Sequence, residues 1–287
     1  MLLRFRSLAL ASLLVTLACG GAFGQQSSDK KIADEKSSDQ KSSPRSDDKK
    51  QPVVQAAKDL AKNPTAEVVA ESVIFVYGLG GGRATLNQIR KTALERGKLS
   101  VVNAEGKTDK ATYQRWTQRA DTLGKEKIRL DQQYSTATYA LVFSDQKIFG
   151  IVGDQVFTPR DDASKAFENQ IIHGLEALLR YKENESTLTL NGKDKIFGVE
   201  YYIVDVTDNQ SRKTRFYVST KSFRVMMLDY EDQGIKYRRK FYDYNYAQGT
   251  LFPFRTTLYA GDKMIEETEV GTVTFGQKID ENMFSGS

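Results

Sequence analysis

The feature that most limits what this chain can fold into is a series of turn signals through its second half. Asn191-Gly192, Asp208-Asn209, Thr220-Lys221, Asp232-Gln233-Gly234, Gln248-Gly249 and Gly261-Asp262 interrupt runs rich in β-branched and aromatic residues. Such residues supply the positive φ angles and local hydrogen bonds that tight hairpins require. The segments between them predict strands over Ser186–Leu190, Ile196–Val206, Thr214–Ser219, Val225–Tyr230, Ile235–Tyr246, Pro253–Ala260 and Met264–Phe275. Ahead of these, strands are predicted over Lys98–Asn103, Thr112–Arg119, Lys127–Tyr134, Ala137–Phe143, Lys147–Ile151 and Gln155–Thr158, with Ser144-Asp145-Gln146 and Gly153-Asp154 as turns. Strands this short and this closely joined pair as an antiparallel meander.

Three helical patterns accompany the strands. Asn63-Pro64-Thr65 is a start signal, with Asn63 as cap and Pro64 in the first turn. Ala66, Val69, Ala70, Val73 and Tyr77 then recur at helical spacing, so a helix is predicted over Pro64–Tyr77 against the strand tendency of its β-branched residues. Gly78 to Gly82 break it, and Ala84, Leu86, Ile89 and Ala93 predict a second, shorter helix through about Leu94. The glycine stretch also resembles a phosphate-binding turn, but the third glycine of that fingerprint would be Arg83, and no alternation of strands and helices follows. Asp161-Asp162, followed by Phe167, Ile171, Leu175, Leu178 and Leu179, predicts one amphipathic helix to about Tyr181, with acids at its start and Arg180 and Lys182 at its end.

Several strands are apolar on both faces. Tyr139, Leu141 and Phe143 oppose Ala140 and Val142, and Phe197, Val199, Tyr201 and Ile203 oppose Tyr202, Val204 and Val206. Such a sheet needs cover on both sides, and three helices are too few for two flat faces. The expected fold is therefore α+β, a strongly curved antiparallel β-sheet with helices covering its concave face. A cavity under those helices would be lined by Tyr139, Leu141, Phe143, Phe167, Ile171, Leu175, Leu178, Tyr202, Val204, Phe216, Val218, Met226, Leu228, Tyr237 and Phe241. The same side chains could equally fill a solid core.

The amino terminus reads as an export signal. Arg4 and Arg6 precede the apolar run Leu8–Ala18, which is too short to span a bilayer. Ala22-Phe23-Gly24 before Gln25 offers the small residues of a cleavage site. Thr16-Leu17-Ala18-Cys19 is a poorer lipobox that would leave Cys19 acylated. Residues 1–24 are thus assigned to the signal, 25–60 to a polar leader and 61–287 to the folded domain. From Gln25 to about Pro52 the leader has almost no large apolar side chain and cannot offset its chain entropy. The expected location is outside the cytoplasm, in the periplasm, with a membrane tether through Cys19 as the alternative. No later stretch is long and apolar enough to span a membrane.

Composition removes several function classes. Cys19 is the only cysteine and His173 the only histidine, so no zinc cluster, disulfide framework or Cys–His pair can form. No cofactor is expected. The net charge of +5 is mostly local: Arg4 and Arg6 carry two charges, and residues 25–52, with seven bases and six acids, carry one more. The remainder is too weakly basic for a nucleic-acid domain, and the base-and-aromatic run Lys236–Tyr242 reads as an exposed strand face. Asp161-Asp162 and Glu266-Glu267 read as a helix start and a solvated strand rather than as paired catalytic acids, and His173 as a boundary residue of its helix. No catalytic constellation emerges.

Ala66–Gly82 with Leu86-Asn87-Gln88-Ile89 and Gly97-Lys98-Leu99, Gly192–Asp205, Tyr242-Asp243-Tyr244, Leu251-Phe252-Pro253-Phe254-Arg255, Gly261-Asp262-Lys263 and above all the closing Lys278-Ile279-Asp280-Glu281-Asn282-Met283-Phe284 resemble LolA-like outer-membrane lipoprotein-sorting proteins. That resemblance covers about Ala66 to Phe284. It implies a half-open β-barrel, apolar inside and capped by helices, that shields lipid or lipoprotein acyl chains in the periplasm without catalysis. The partners it implies are a lipid or acylated lipoprotein and an envelope protein, with no nucleic acid.

Overall fold

The computed structural model describes residues 64–103 and 105–285. The signal segment, Cys19, the polar leader and Asn63 lie outside the described residues.

Helix α1, Ala66–Tyr77, is capped by Thr65, whose backbone is extended and whose hydroxyl accepts from the Val68 N–H at 3.3 Å. It buries Val69, Val73, Ile74 and Tyr77, so packing of that face overrides the strand preference of its β-branched residues. After the glycine turn comes α2, Gly82–Ile89, which ends earlier than its periodicity suggests. Ala93 and Leu94 belong instead to strand β1, Thr92–Val102, where Leu94 and Leu99 are buried from opposite faces.

The sheet has thirteen strands. After β1 come β2 Thr108–Gln118, β3 Lys127–Tyr134, β4 Thr138–Ser144, β5 Lys147–Val152 and β6 Gln155–Phe157. The second set is β7 Thr187–Ile196, β8 Val199–Thr207, β9 Lys213–Ser219, β10 Val225–Asp232, β11 Ile235–Ala247, β12 Thr250–Ala260 and β13 Lys263–Phe275. The order β6-β5-β4-β3-β2-β1-β13-β12-β11-β10-β9-β8-β7 is two meanders joined where β1 pairs with β13. The sheet is open, with β6 and β7 as its edges, and it is not the strongly curled sheet expected from the sequence.

The helix expected from Asp162 to Tyr181 is two pieces: α3, Asp161–Ile172, and the single turn α4, Glu176–Leu179. Gly174 lies in the break; a Cβ there would stand 2.8 Å from the Gln170 carbonyl oxygen. This connection links the two opposite edges of the sheet and runs across one face of it. Phe167 and Ile171 of α3 pack on the first meander with Leu99, Ile128, Leu130 and Leu141. Leu178 and Leu179 pack with α1 on the second, against Tyr202, Val204, Phe216, Val218 and Leu228.

Two other expectations change. Asn191-Gly192 is a bulge inside β7, where the register shifts between Leu190 and Lys193, and the hairpin turn falls at Phe197-Gly198. The strand therefore continues through the strongest sequence turn signal, because a glycine with positive φ serves a bulge as well as a turn. Phe197 is in that turn rather than in a strand face, and is 99% exposed.

The outer face is apolar where something covers it. Tyr201, Ile203, Tyr217 and Met227 form a small cluster beside the ion pairs Arg215–Asp205 and Arg238–Asp229. The 3-10 turn Glu281–Phe284 packs on β3 and β4, and Arg129 donates to the Met283 carbonyl at 2.9 Å. Among the described residues no helix is long and apolar enough to cross a membrane.

Candidate functional site

At the centre of the inner face the sheet splits. The β12–β13 register runs only from Ala260↔Lys263 to Arg255↔Glu269, while β13 continues along β1 to Phe275↔Ala93. Pro253 sits where β12 has only β11 beside it, a place that admits a residue without an N–H. Gly97 is opposite the parting point, at a bulge in the β1–β13 pairing, and a Cβ there would meet the Glu269 carbonyl oxygen at 2.1 Å. Only glycine fits so close an approach.

A cavity of about 190 Å³ lies over this split. Its apolar walls come from Leu99 on β1, Ile128 and Leu130 on β3, Phe241 on β11, Phe252 and Pro253 on β12, and Val270, Val273 and Phe275 on β13. Ile171, Gly174 and Leu175 of the helical connection roof it, so the break between α3 and α4 lies directly above.

The floor is polar. Arg239 donates to Glu266 at 2.9 Å and to the Thr256 hydroxyl at 3.3 Å, and Gln170 of α3 donates to the other Glu266 oxygen at 3.1 Å. The Tyr113 hydroxyl donates to Glu95 at 2.5 Å, and burial together with that carboxylate holds its pKa far above the phenol range. Arg115 lies between, donating to the Gln170 side-chain oxygen at 3.4 Å. Burial lowers the Arg115 pKa, although an arginine stays charged throughout the accessible pH range.

A second ionic group closes one wall. Glu176, in the first turn of α4, accepts from Arg90 at 2.7 Å and lies 3.2 Å from Arg119. Burial alone would raise the Glu176 pKa, but Arg119 and Arg90 outweigh it and hold the carboxylate below its usual range. Arg90 also donates to the Leu251 carbonyl at 2.7 Å and to Thr250 at 3.0 Å. Fully buried Glu126 bridges Arg119, at 2.7 Å, and Arg180.

The expected ligand residues divide among several places. Ile171, Leu175 and Phe241 line the cavity. Phe143 and Ile171 border a neighbouring cavity of about 310 Å³ whose far wall is Val206 and Thr214, so strands from both meanders face it. Tyr237 borders an open polar groove beside His173 and Tyr230. Tyr139, Leu141 and Phe167 are in the apolar cluster under α3, and Leu178, Tyr202, Val204, Phe216, Val218 and Leu228 in the cluster under α1. Met226 packs with the outer cluster, because a register shift between Val225 and Met227 turns it away from the helices.

Sequence reasoning missed Glu95, Tyr113, Arg115 and Gln170, and it read Arg239 and Glu266 as exposed strand residues, whereas their mutual ion pair is nearly buried on the inner face. Strand alternation carries a signal for some of them: Leu99 shares a face with Glu95, and Tyr113 with Arg115. Among the described residues no cluster of metal-ligating side chains occurs.

No protein-family model matches the chain, and no curated protein matches it. Solved structures do. A LolA superfamily protein from Nitrosomonas europaea superposes with a TM-score of 0.53 at 11% identity, covering 77% of this chain and 97% of that one. A DUF1329 family protein from Desulfovibrio piger gives a TM-score of 0.48 at 13% identity over 77% and 97% of the two chains. A putative outer membrane lipoprotein-sorting protein domain from Vibrio parahaemolyticus gives 0.46 at 12% identity over 70% and 92%. At such identities the likeness is one of architecture, and the described domain has a LolA-like fold.

Proposed function

We propose that this is an exported, non-enzymatic envelope protein that holds the acyl chain of a lipid or lipoprotein in the cavity at the split of its sheet, as a carrier or sensor. On this reading the domain of residues 61–287 is the binding unit, and the connection α3–α4 is its lid. The observation that carries it is the position of the cavity. It lies on the one face that bears the helices, walled by apolar side chains of five strands, and is roofed at a helix break.

At about 190 Å³ the cavity is smaller than the roughly 300–1,000 Å³ of ordinary ligand sites. A whole acyl chain therefore requires the roof to move, and Gly174 gives it a hinge. Partners of this kind also suit the export signal expected from the sequence, with the protein periplasmic on this reading and tethered there if Cys19 is acylated.

The specific test is uptake of a fluorescent fatty-acid probe by the purified protein. Saturable binding that falls in Leu175→Asp, with the fold intact by circular dichroism, supports the proposal; absence of uptake by the unaltered protein contradicts it.

A second reading is an interaction protein with a filled core. The close packing of Tyr202, Val204, Phe216, Val218 and Leu228, all buried, favours it. It expects Leu175→Asp to leave every ligand measurement at background.

A further inference from the structure

Four arginines line the central cavity, and three of them are paired. Arg239 is held by Glu266 and Thr256, and Arg90 and Arg119 by Glu176. Arg115 differs. Among the described residues it makes no ion pair, and its one hydrogen bond is the 3.4 Å contact to the neutral amide of Gln170. A guanidinium carries five N–H donors, so most of those on Arg115 are left without a protein acceptor and face the cavity.

Its surroundings say what kind of acceptor is missing. On β2, Arg115 is directly opposite Glu95 on one side and Leu130 on the other. Glu95 balances the charge at a distance, but its carboxylate is engaged by the Tyr113 hydroxyl at 2.5 Å. On the Leu130 side the inner face next to it is apolar, through Ile128, Leu130, Leu141 and Ile171. Arg115 thus stands at the boundary between a charged floor and a greasy wall. A half-buried cation with one long bond to a neutral group has donors to spare at the cavity, and a planar fork of donors matches two oxygens on one carbon.

We propose that Arg115 is the head-group site of the cavity: it donates to the acyl oxygens, carboxylate or ester carbonyl, of a chain whose tail runs over Leu99, Ile128, Leu130 and Ile171. This rests on the acyl-binding reading above and adds the polarity and orientation of the ligand.

The experiment measures dissociation constants of palmitate, methyl palmitate and the apolar fluorophore N-phenyl-1-naphthylamine for the unaltered protein, Arg115→Leu and Arg115→Lys, each checked for fold by circular dichroism. Arg115→Leu keeps an apolar wall and removes the donors. It is expected to weaken palmitate by at least about tenfold, the scale of one charge-assisted hydrogen bond, while fluorophore binding stays within about twofold. Arg115→Lys is expected to fall between, since it keeps the charge and loses the fork. Loss confined to palmitate identifies a free carboxylate as the head, and equal loss for methyl palmitate identifies the ester carbonyl. Should Arg115→Leu not fold, Arg115→Lys alone decides, by a drop of about threefold or more for palmitate against an unchanged fluorophore. Palmitate affinity unchanged in a folded variant that still binds the fluorophore overturns the head-group assignment and leaves the acyl cavity standing. Failure of the unaltered protein to bind any of the three probes overturns both.

Discussion

His173 ends α3 with Nδ1 2.7 Å from the Thr214 hydroxyl and its ring stacked on Tyr230 at 4.3 Å between centroids. Burial lowers its pKa to about 4, with Arg212 acting in the same direction. The unfolded chain therefore binds the proton first on acidification. Stability from this residue is complete above about pH 6.5 and is lost as the pH falls toward 4, by up to about 3 kcal/mol. Urea unfolding at pH 7 and pH 5 should show about 2 kcal/mol of that loss, and His173→Gln should show a smaller difference between the two. The residue was visible in the sequence as a helix-boundary side chain, whereas Arg115 was not. Alternation puts it on one face with Tyr113, and the pairing with Glu95 and Leu130 shows that this is the inner face.

At the scale of elements, the β7–β8 hairpin contains a local conflict. Phe197 has φ 48° in a two-residue turn and is fully exposed, a conformation that suits asparagine or glycine. Phe197→Asn creates Asn-Gly there and should raise stability by about 1 kcal/mol in thermal or urea melts. The helical connection offers the opposite contrast. Phe167 is buried among Leu99, Ile128 and Leu141, so Phe167→Asp should unfold the domain. Leu175 is half-buried at the cavity, so Leu175→Asp should keep the sheet folded while abolishing probe uptake. Circular dichroism beside probe binding separates the two outcomes. Most strands were legible because period-two patterns and hairpin residues agreed, β3 to the residue. The helix break was not, since Leu175, Leu178 and Leu179 continue the apolar period past Gly174 while the chain itself turns. Asn191-Gly192 misled for a related reason: bulges and turns ask the same of a backbone.

Across the whole molecule, the two meanders and their helical connection are tied by buried charge. Glu126, between β2 and β3, meets Arg119 from the end of β2 and Arg180 from the segment after α4, and Arg180 also donates to the Ala120 carbonyl at 2.5 Å. Removing one partner strands the others in a low-dielectric site. Glu126→Gln should therefore cost about 3–5 kcal/mol in denaturant unfolding, far more than an exposed pair such as Lys107–Glu105. This clasp fixes one end of the roof, because Arg119 also meets Glu176. The sequence disclosed the apolar faces that the sheet must cover, but a cavity formed where β12 and β13 part depends on register, which no local pattern encodes. The central claim, that this space holds an acyl chain, is tested most directly by native mass spectrometry of the protein purified from membrane-containing cells, with organic extraction of whatever accompanies it. The account expects a folded species carrying one extractable acylated molecule, absent from Leu175→Asp prepared in the same way. Repeated recovery of the unaltered protein at its bare polypeptide mass, with no acyl species in the extract, would contradict it.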